Sequence, residues 1–181
     1  EQKDAYNMAG IYPSMHDAHP FSTLWSFHLN HAEENWCVMG RFATIPLGET
    51  EITLDKLNLD PAQKYHAFDF WKQKYLGVVT GSIPVRSLEL GECQIVGLRK
   101  VKKVPQFIAS SRHVSMDAVS IQSQEWKENM LLLRINGVKG TREVYYIAVS
   151  KGFEVKEVKS SAGMCDIRMK DGLLRVGISF E

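Results

Sequence analysis

The chain has 181 residues, and its 22 Lys and Arg residues nearly balance 21 Asp and Glu residues, giving a formal net charge of +1. This balance leaves no electrostatic footprint for nucleic acid or an anionic membrane, so neither is expected as a partner. The length suits one large or two small domains, and no apolar run reaches the roughly 18 residues that a membrane-spanning helix needs.

Three cysteines, Cys37, Cys93 and Cys165, lie far apart with apolar neighbours. Without a C-x-x-C spacing they cannot form a cysteine-based zinc site, and they are predicted to be buried thiols. One disulfide stays possible, but the sequence does not choose the pair. No cofactor or metal is expected.

The first 22 residues are polar and interrupted by Gly10, Pro13 and Pro20, a pattern typical of an irregular lead-in. Apolar residues then alternate at period two, which predicts strands. The pattern predicts Trp25, Phe27 and Leu29 to face inward on the first strand. The predicted strands in this part cover residues 23–30, 36–44 and 51–54, followed by one helical turn over residues 55–60.

An aromatic hairpin follows over residues 64–77. Tyr65 and Trp71 share one parity of this strand, while Phe68 and Phe70 share the other, so aromatics fall on both faces. This pattern is typical of a strand buried between two layers. The polar residues 72–74 form the predicted turn before a returning strand.

The pattern restarts after residue 103, and its clearest turn is Asp171-Gly172. The sequence therefore predicts an all-β fold, an antiparallel β-sandwich of two packed units over residues 23–103 and 104–181, after a lead-in over residues 1–22. Further predicted strands cover residues 82–85, 92–101, 114–122, 130–135, 143–149, 153–158, 165–169 and 173–180.

The aromatic hairpin also carries a resemblance. Phe68-Asp69-Phe70-Trp71 followed by Lys74-Tyr75-Leu76-Gly77 resembles the all-β C-terminal region of α-galactosidase-like (clan D, melibiase-type) glycoside hydrolases, where an aromatic hairpin of this type follows the catalytic (β/α)8 barrel. Three more segments match in the same order: residues 36–44, 52–60 and 105–118, the last resembling a "PQLLSTSRHI"-type segment. The resemblance covers residues 20–154 and includes no catalytic motif.

Three groups of residues have side chains that can serve in catalysis or metal binding. His16, His19, His28 and His31 form two i, i+3 pairs, which on a strand point to opposite faces and are predicted to be surface histidines. Asp69 is predicted to tie a strand end to backbone N–H groups rather than to form a carboxylate pair. Ser110-Ser111-Arg112-His113 lacks a nucleophile elbow and is predicted to be a polar turn between the two β units, with Arg112 bracing their interface through a carboxylate. No catalytic residue is predicted.

Tryptophan offers the remaining chemistry, since an exposed indole can stack on a pyranose ring. Most large aromatics of a sandwich belong to its core. Trp71 and Trp126 are the candidates for carbohydrate contact, and Trp126, with its polar neighbours, is predicted to be the more exposed.

The leading hypothesis follows from the resemblance. It implies a non-catalytic accessory region that packs on and stabilises the catalytic barrel of a parent glycoside hydrolase, so this chain alone is not expected to be an enzyme. A free-standing carbohydrate-binding β-sandwich is the alternative, and a jelly-roll hydrolase with its carboxylates in a groove is third. The chain begins without a signal peptide, which would have been removed or never present, and the family implies an exported protein, periplasmic or extracellular.

Overall fold

The computed structural model describes residues 6–10 and 22–181, with the backbone alone for residues 6–10 and for Cys165. These residues form β-strands joined by turns, together with a single turn of 3₁₀ helix at Leu54–Leu57. The predicted all-β class and antiparallel pairing are confirmed. The strands are β1 Tyr6–Gly10, β2 Leu24–His31, β3 Glu34–Phe42, β4 Thr50–Thr53, β5 Tyr65–Asp69, β6 Lys74–Val79, β7 Ser82–Val85, β8 Cys93–Lys100, β9 Gln106–Ser110, β10 Ile121–Lys127, β11 Met130–Ile135, β12 Thr141–Ala148, β13 Gly163–Lys170 and β14 Leu173–Phe180.

Two compact units divide the chain. The first comprises residues 1–30 and 34–101, and the second comprises residues 31–33 and 102–181. Tyr6–Gly10 forms a strand paired with β2. The predicted irregular structure of the lead-in is therefore wrong for these residues. In the part of the chain that the structure describes, no helix is long and apolar enough to cross a membrane.

In the first unit, a six-stranded sheet in the order β1-β2-β3-β8-β5-β6 lies against the β4-β7 ribbon. Leu54 and Leu57, on the 3₁₀ turn, are fully buried in the core between them. Every residue of β5 is buried. This confirms that the aromatic strand lies between two layers.

In the second unit, a four-stranded sheet in the order β13-β14-β12-β9 packs on the β10-β11 hairpin. Asp171 and Gly172 join β13 to β14 with φ angles of +50° and +76°, the left-handed pair that tight hairpins favour. The hairpin places Leu174, Val176 and Ile178 on the core face.

Two predicted strands are wrong. Residues 114–120 form consecutive turns, and β10 begins only at Ile121. Residues 153–158 form no strand, although Val155 and Val158 still pack on the core of the second unit. The inward set predicted for β2 is also only partly right, since Leu29 is buried whereas Trp25 and Phe27 are half-buried.

Candidate functional site

Trp71 is the most exposed tryptophan of the chain. It lies in the turn between β5 and β6, and 55% of its surface is accessible. Its ring meets the buried Phe70 edge to face, with centroids 5.0 Å apart. More than half of the Trp71 side chain is thus accessible to solvent, next to a buried aromatic ring.

Hydrogen bonds fix the turn that carries Trp71. The Asp69 carboxylate accepts the Lys72 backbone N–H at 3.1 Å and the Gln94 amide at 3.0 Å. Gln73 takes a left-handed φ of +46°, and its side chain donates to the Phe70 carbonyl at 2.5 Å. The prediction that Asp69 ties a strand end to backbone N–H groups is confirmed, and the indole is held by a rigid turn.

Charged groups lie beside this turn. Lys72 interacts electrostatically with Glu92, which forms an ion pair with Arg86 at 3.0 Å. Hydrogen bonding to the Glu89 backbone, and then to Arg86, lowers the pKa of Glu92. The turn that carries the exposed Trp71 thus also carries Lys72, which interacts with the Glu92–Arg86 ion pair.

Trp126 does not share this exposure. It is half-buried on β10 and meets Phe153 edge to face, with centroids 5.3 Å apart. The prediction that Trp126 is the more exposed of the two candidates is therefore wrong. It was based on the polar residues next to Trp126 in the sequence, whereas the side chain that covers Trp126 is Phe153, 27 positions away.

A buried polar network occupies the second unit. Arg112 forms an ion pair with Glu143, with Nη1 and Oε1 2.5 Å apart, and the Tyr145 hydroxyl donates to the other carboxylate oxygen at 2.5 Å. Ser120 hydrogen-bonds Tyr145 and donates both its backbone N–H and its hydroxyl to Asp117. Burial, and then the bond to Glu143, raise the pKa of Tyr145, so the phenol stays protonated. The predicted carboxylate partner of Arg112 is confirmed, but Arg112 and Glu143 both lie in the second unit, so the pair does not join the two units as predicted.

Two buried carboxylates take part in this network. Glu143 and Asp117 both interact with Tyr145, but they are 4% and 0% exposed. Met116 and Asp117 hold left-handed φ angles of +56° and +77°, a costly conformation for residues other than glycine. A substrate cannot reach carboxylates closed in this way, so the arrangement supports packing rather than hydrolysis.

The histidines predicted to lie on the surface are half-buried at positions 28 and 31, and the serine segment forms local hydrogen bonds as predicted for a polar turn. His28 binds the Leu57 carbonyl at 2.7 Å, and His31 binds the Ile121 carbonyl at 2.6 Å, while His16 and His19 lie outside the described residues. His113 bonds Ser115, and Ser110 instead accepts the Arg112 N–H. Across the described residues, no three potential ligands cluster to hold a metal ion.

Cys37 and Cys93 are free thiols, and the Cys165 side chain lies outside the described part of the structure. Cys37 is fully buried, and this burial raises the pKa of its thiol to about 12. It is therefore an inert core residue at neutral pH.

Comparison with known proteins gives no family assignment. No protein-family model matches the chain, and no curated protein matches it significantly. Partial likeness to solved structures exists. One is a "putative alpha-N-acetylgalactosaminidase" from Bacillus halodurans C-125, with TM-score 0.34 and 12% identity over 44% of this chain and 18% of that chain. Another is alpha-galactosidase I from Mortierella vinacea, with TM-score 0.33 and 18% identity over 42% of this chain and 20% of that chain. The matched part thus spans about a fifth of either enzyme, and likeness at this TM-score assigns no function.

Proposed function

We propose that this chain is a non-catalytic accessory β region of an α-galactosidase-like glycoside hydrolase, and that it packs on and stabilises the catalytic (β/α)8 barrel of the same parent enzyme. The observation that supports the proposal is that the buried carboxylates are hydrogen-bonded within the protein. Asp69, Asp117 and Glu143 all accept hydrogen bonds from neighbouring protein groups and are closed to substrate. The four ordered segments of the sequence resemblance supply the family.

The first test is turnover. The full chain is incubated with an aryl α-galactoside, with a catalytically active α-galactosidase as the positive control. We expect no product above the uncatalysed rate. Turnover that survives repurification and is lost in Asp69→Asn or Glu143→Gln would overturn the accessory assignment.

The second test is the size of the native protein. An antibody raised against this 20.6-kDa chain is used on extracts and culture medium of the source organism. A parent enzyme with a barrel of roughly 250 residues would give a band near or above 50 kDa. It would also be found outside the cytoplasm if the enzyme is exported. A single band near 21 kDa would contradict the proposed parent enzyme.

Carbohydrate binding is the second candidate, and the exposure of Trp71 favours it. If the turn holds a sugar, Trp71→Ala should weaken retention of the chain by immobilised galactosides or plant polysaccharides at least tenfold. A nucleobase stacked on one aromatic side chain contributes about 1–3 kcal/mol, and a tenfold loss corresponds to the lower part of that range.

Trp126→Ala is the matched control, since Trp126 is half-buried against Phe153. Retention that is equal for both variants and the wild type would remove Trp71 from any carbohydrate site. Affinity gels containing each polysaccharide measure the effect directly.

A further inference from the structure

The core face of the four-stranded sheet continues onto its edge strand β13, where the apolar side chains are exposed to solvent. In register, Met164, Ile167 and Met169 of β13 lie opposite Ile178, Val176 and Leu174 of β14, which are buried. The three β13 side chains are nevertheless 40%, 46% and 50% exposed. In the described sheet β13 pairs with β14 alone, so its outer edge offers unpaired backbone groups.

The opposite face of β13 carries complementary charges two positions apart. Asp166 and Arg168 flank Ile167. Asp166 also forms an ion pair with Arg175 of β14, whereas the Arg168 side chain is 75% exposed and can reach a second carboxylate. Directly opposed residues of an antiparallel pair share a face. In a two-fold pairing centred on Ile167, Asp166 of each copy lies opposite Arg168 of the other.

We propose that β13 pairs antiparallel with β13 of a second copy of this chain, with Ile167 on the two-fold axis. The partner follows from this self-complementarity: the same strand supplies both the acid and the base, and Ile167 meets its own copy on the other face. The bulge between Met164 and Asp166 lies outside the central residues 166–168 and does not interrupt the charged pairs. Arg168 then bridges its own Asp166 and that of the second copy.

The interface is small. A strand of 8 residues extends about 26 Å at the usual rise per residue, so a single added strand pair falls in the class below about 1,200 Å² of buried surface. We expect a reversible dimer with a dissociation constant in the micromolar range.

Sedimentation equilibrium of the full chain at concentrations from about 1 to 200 μM tests the association. Ile167→Asp places two carboxylates on the axis and should shift the dissociation constant at least tenfold towards monomer. Leu132→Asp on β11, where the wild-type side chain is 46% exposed, is the control and should leave association unchanged. Circular dichroism checks that both variants are folded.

Cysteine cross-linking tests the register. In a Cys93→Ser, Cys165→Ser background, Ile167→Cys brings two thiols to directly opposed positions, within the Cα separation of about 4.4–6.8 Å that a disulfide needs. Oxidised glutathione accepts the two electrons, and a covalent dimer forms with glutathione as the product. Met169→Cys is the matched control: its copies are four positions out of register, so it should cross-link at least tenfold more slowly.

A strict monomer throughout the concentration range, or equal cross-linking at positions 167 and 169, would overturn this dimer. Neither outcome bears on the accessory role, because turnover and native size are measured independently of association.

Discussion

Glu143→Ala is expected to lower the free energy of unfolding by about 3–5 kcal/mol, because it removes one partner of a buried ion pair. The Glu143 side chain is 5% exposed and that of Arg112 is 20% exposed, so little water reaches either charge. The substitution leaves the guanidinium without its carboxylate and the Tyr145 hydroxyl, on a residue that is 1% exposed, without its acceptor. Urea denaturation at neutral pH gives the loss directly.

The matched control is Glu157→Ala. Glu157 pairs with Lys159 at 2.9 Å, but the two side chains are 66% and 80% exposed, so this pair should contribute less than about 1 kcal/mol. Equal losses for Glu143→Ala and Glu157→Ala would show that the Glu143–Arg112 pair stabilises the fold no more than an exposed ion pair does.

A double-mutant cycle separates the ion pair from the cost of leaving a charge unpaired. Arg112→Met and Glu143→Leu should each be strongly destabilising, whereas the double variant should recover part of the loss because no buried charge then stays unpaired. Additive losses would mean that the two side chains stabilise the unit independently of each other. Tyr145→Phe should cost about 1.5–3 kcal/mol, the value of a hydrogen bond to a charged group.

Local patterning predicts most of the strands because alternation and turn chemistry act over a few residues. Residues 82–85, 130–135 and 173–180 form strands with the predicted bounds. The prediction fails at residues 114–120, where Ser115 and Asp117 accept the N–H groups of Ala118 and Ser120. Such side-chain bonds compete with a strand ladder, and the alternating Val114 and Met116 gave no sign of them. Val155 and Val158 pack on the core although their segment pairs with no other strand. The alternation of apolar residues is the same in such a segment as in a β-strand, so the sequence pattern cannot distinguish the two.

The candidate site depends on contacts that are distant in sequence. Polar neighbours predicted that Trp126 is exposed, but Phe153 covers one side of it. The same reasoning did not identify Trp71 as the more exposed residue. Its exposure depends on a turn that is fixed by Asp69 and Gln94, 25 positions apart. The prediction for Arg112 supplied the kind of partner, a carboxylate, but its identity as Glu143 requires the pairing of β9 with β12.

His66 should make the fold sensitive to mild acid. It is 8% exposed on the aromatic strand β5, Tyr75 bonds its Nδ1 at 2.7 Å, and its buried Nε2 has no hydrogen-bond partner. Its register neighbour on β8 is Arg99, a cation that cannot supply a counter-charge. Burial lowers the pKa of His66 from 6.5 to about 4.

Because the folded pKa lies below the unfolded one, the unfolded chain binds a proton between these values that the folded chain does not. The stabilisation is complete above pH 6.5 and is lost as the pH falls towards 4, by about 3 kcal/mol in all. His66→Gln should flatten the dependence of unfolding free energy on pH within that window, and His113→Gln, which removes an exposed histidine, is the comparison variant. Aspartates and glutamates titrate in the lower part of the same window, and they do so equally in all three proteins. The difference between the His66 and His113 curves therefore isolates the imidazole, and parallel curves would mean that His66 is protonated in the folded chain as readily as in the unfolded one.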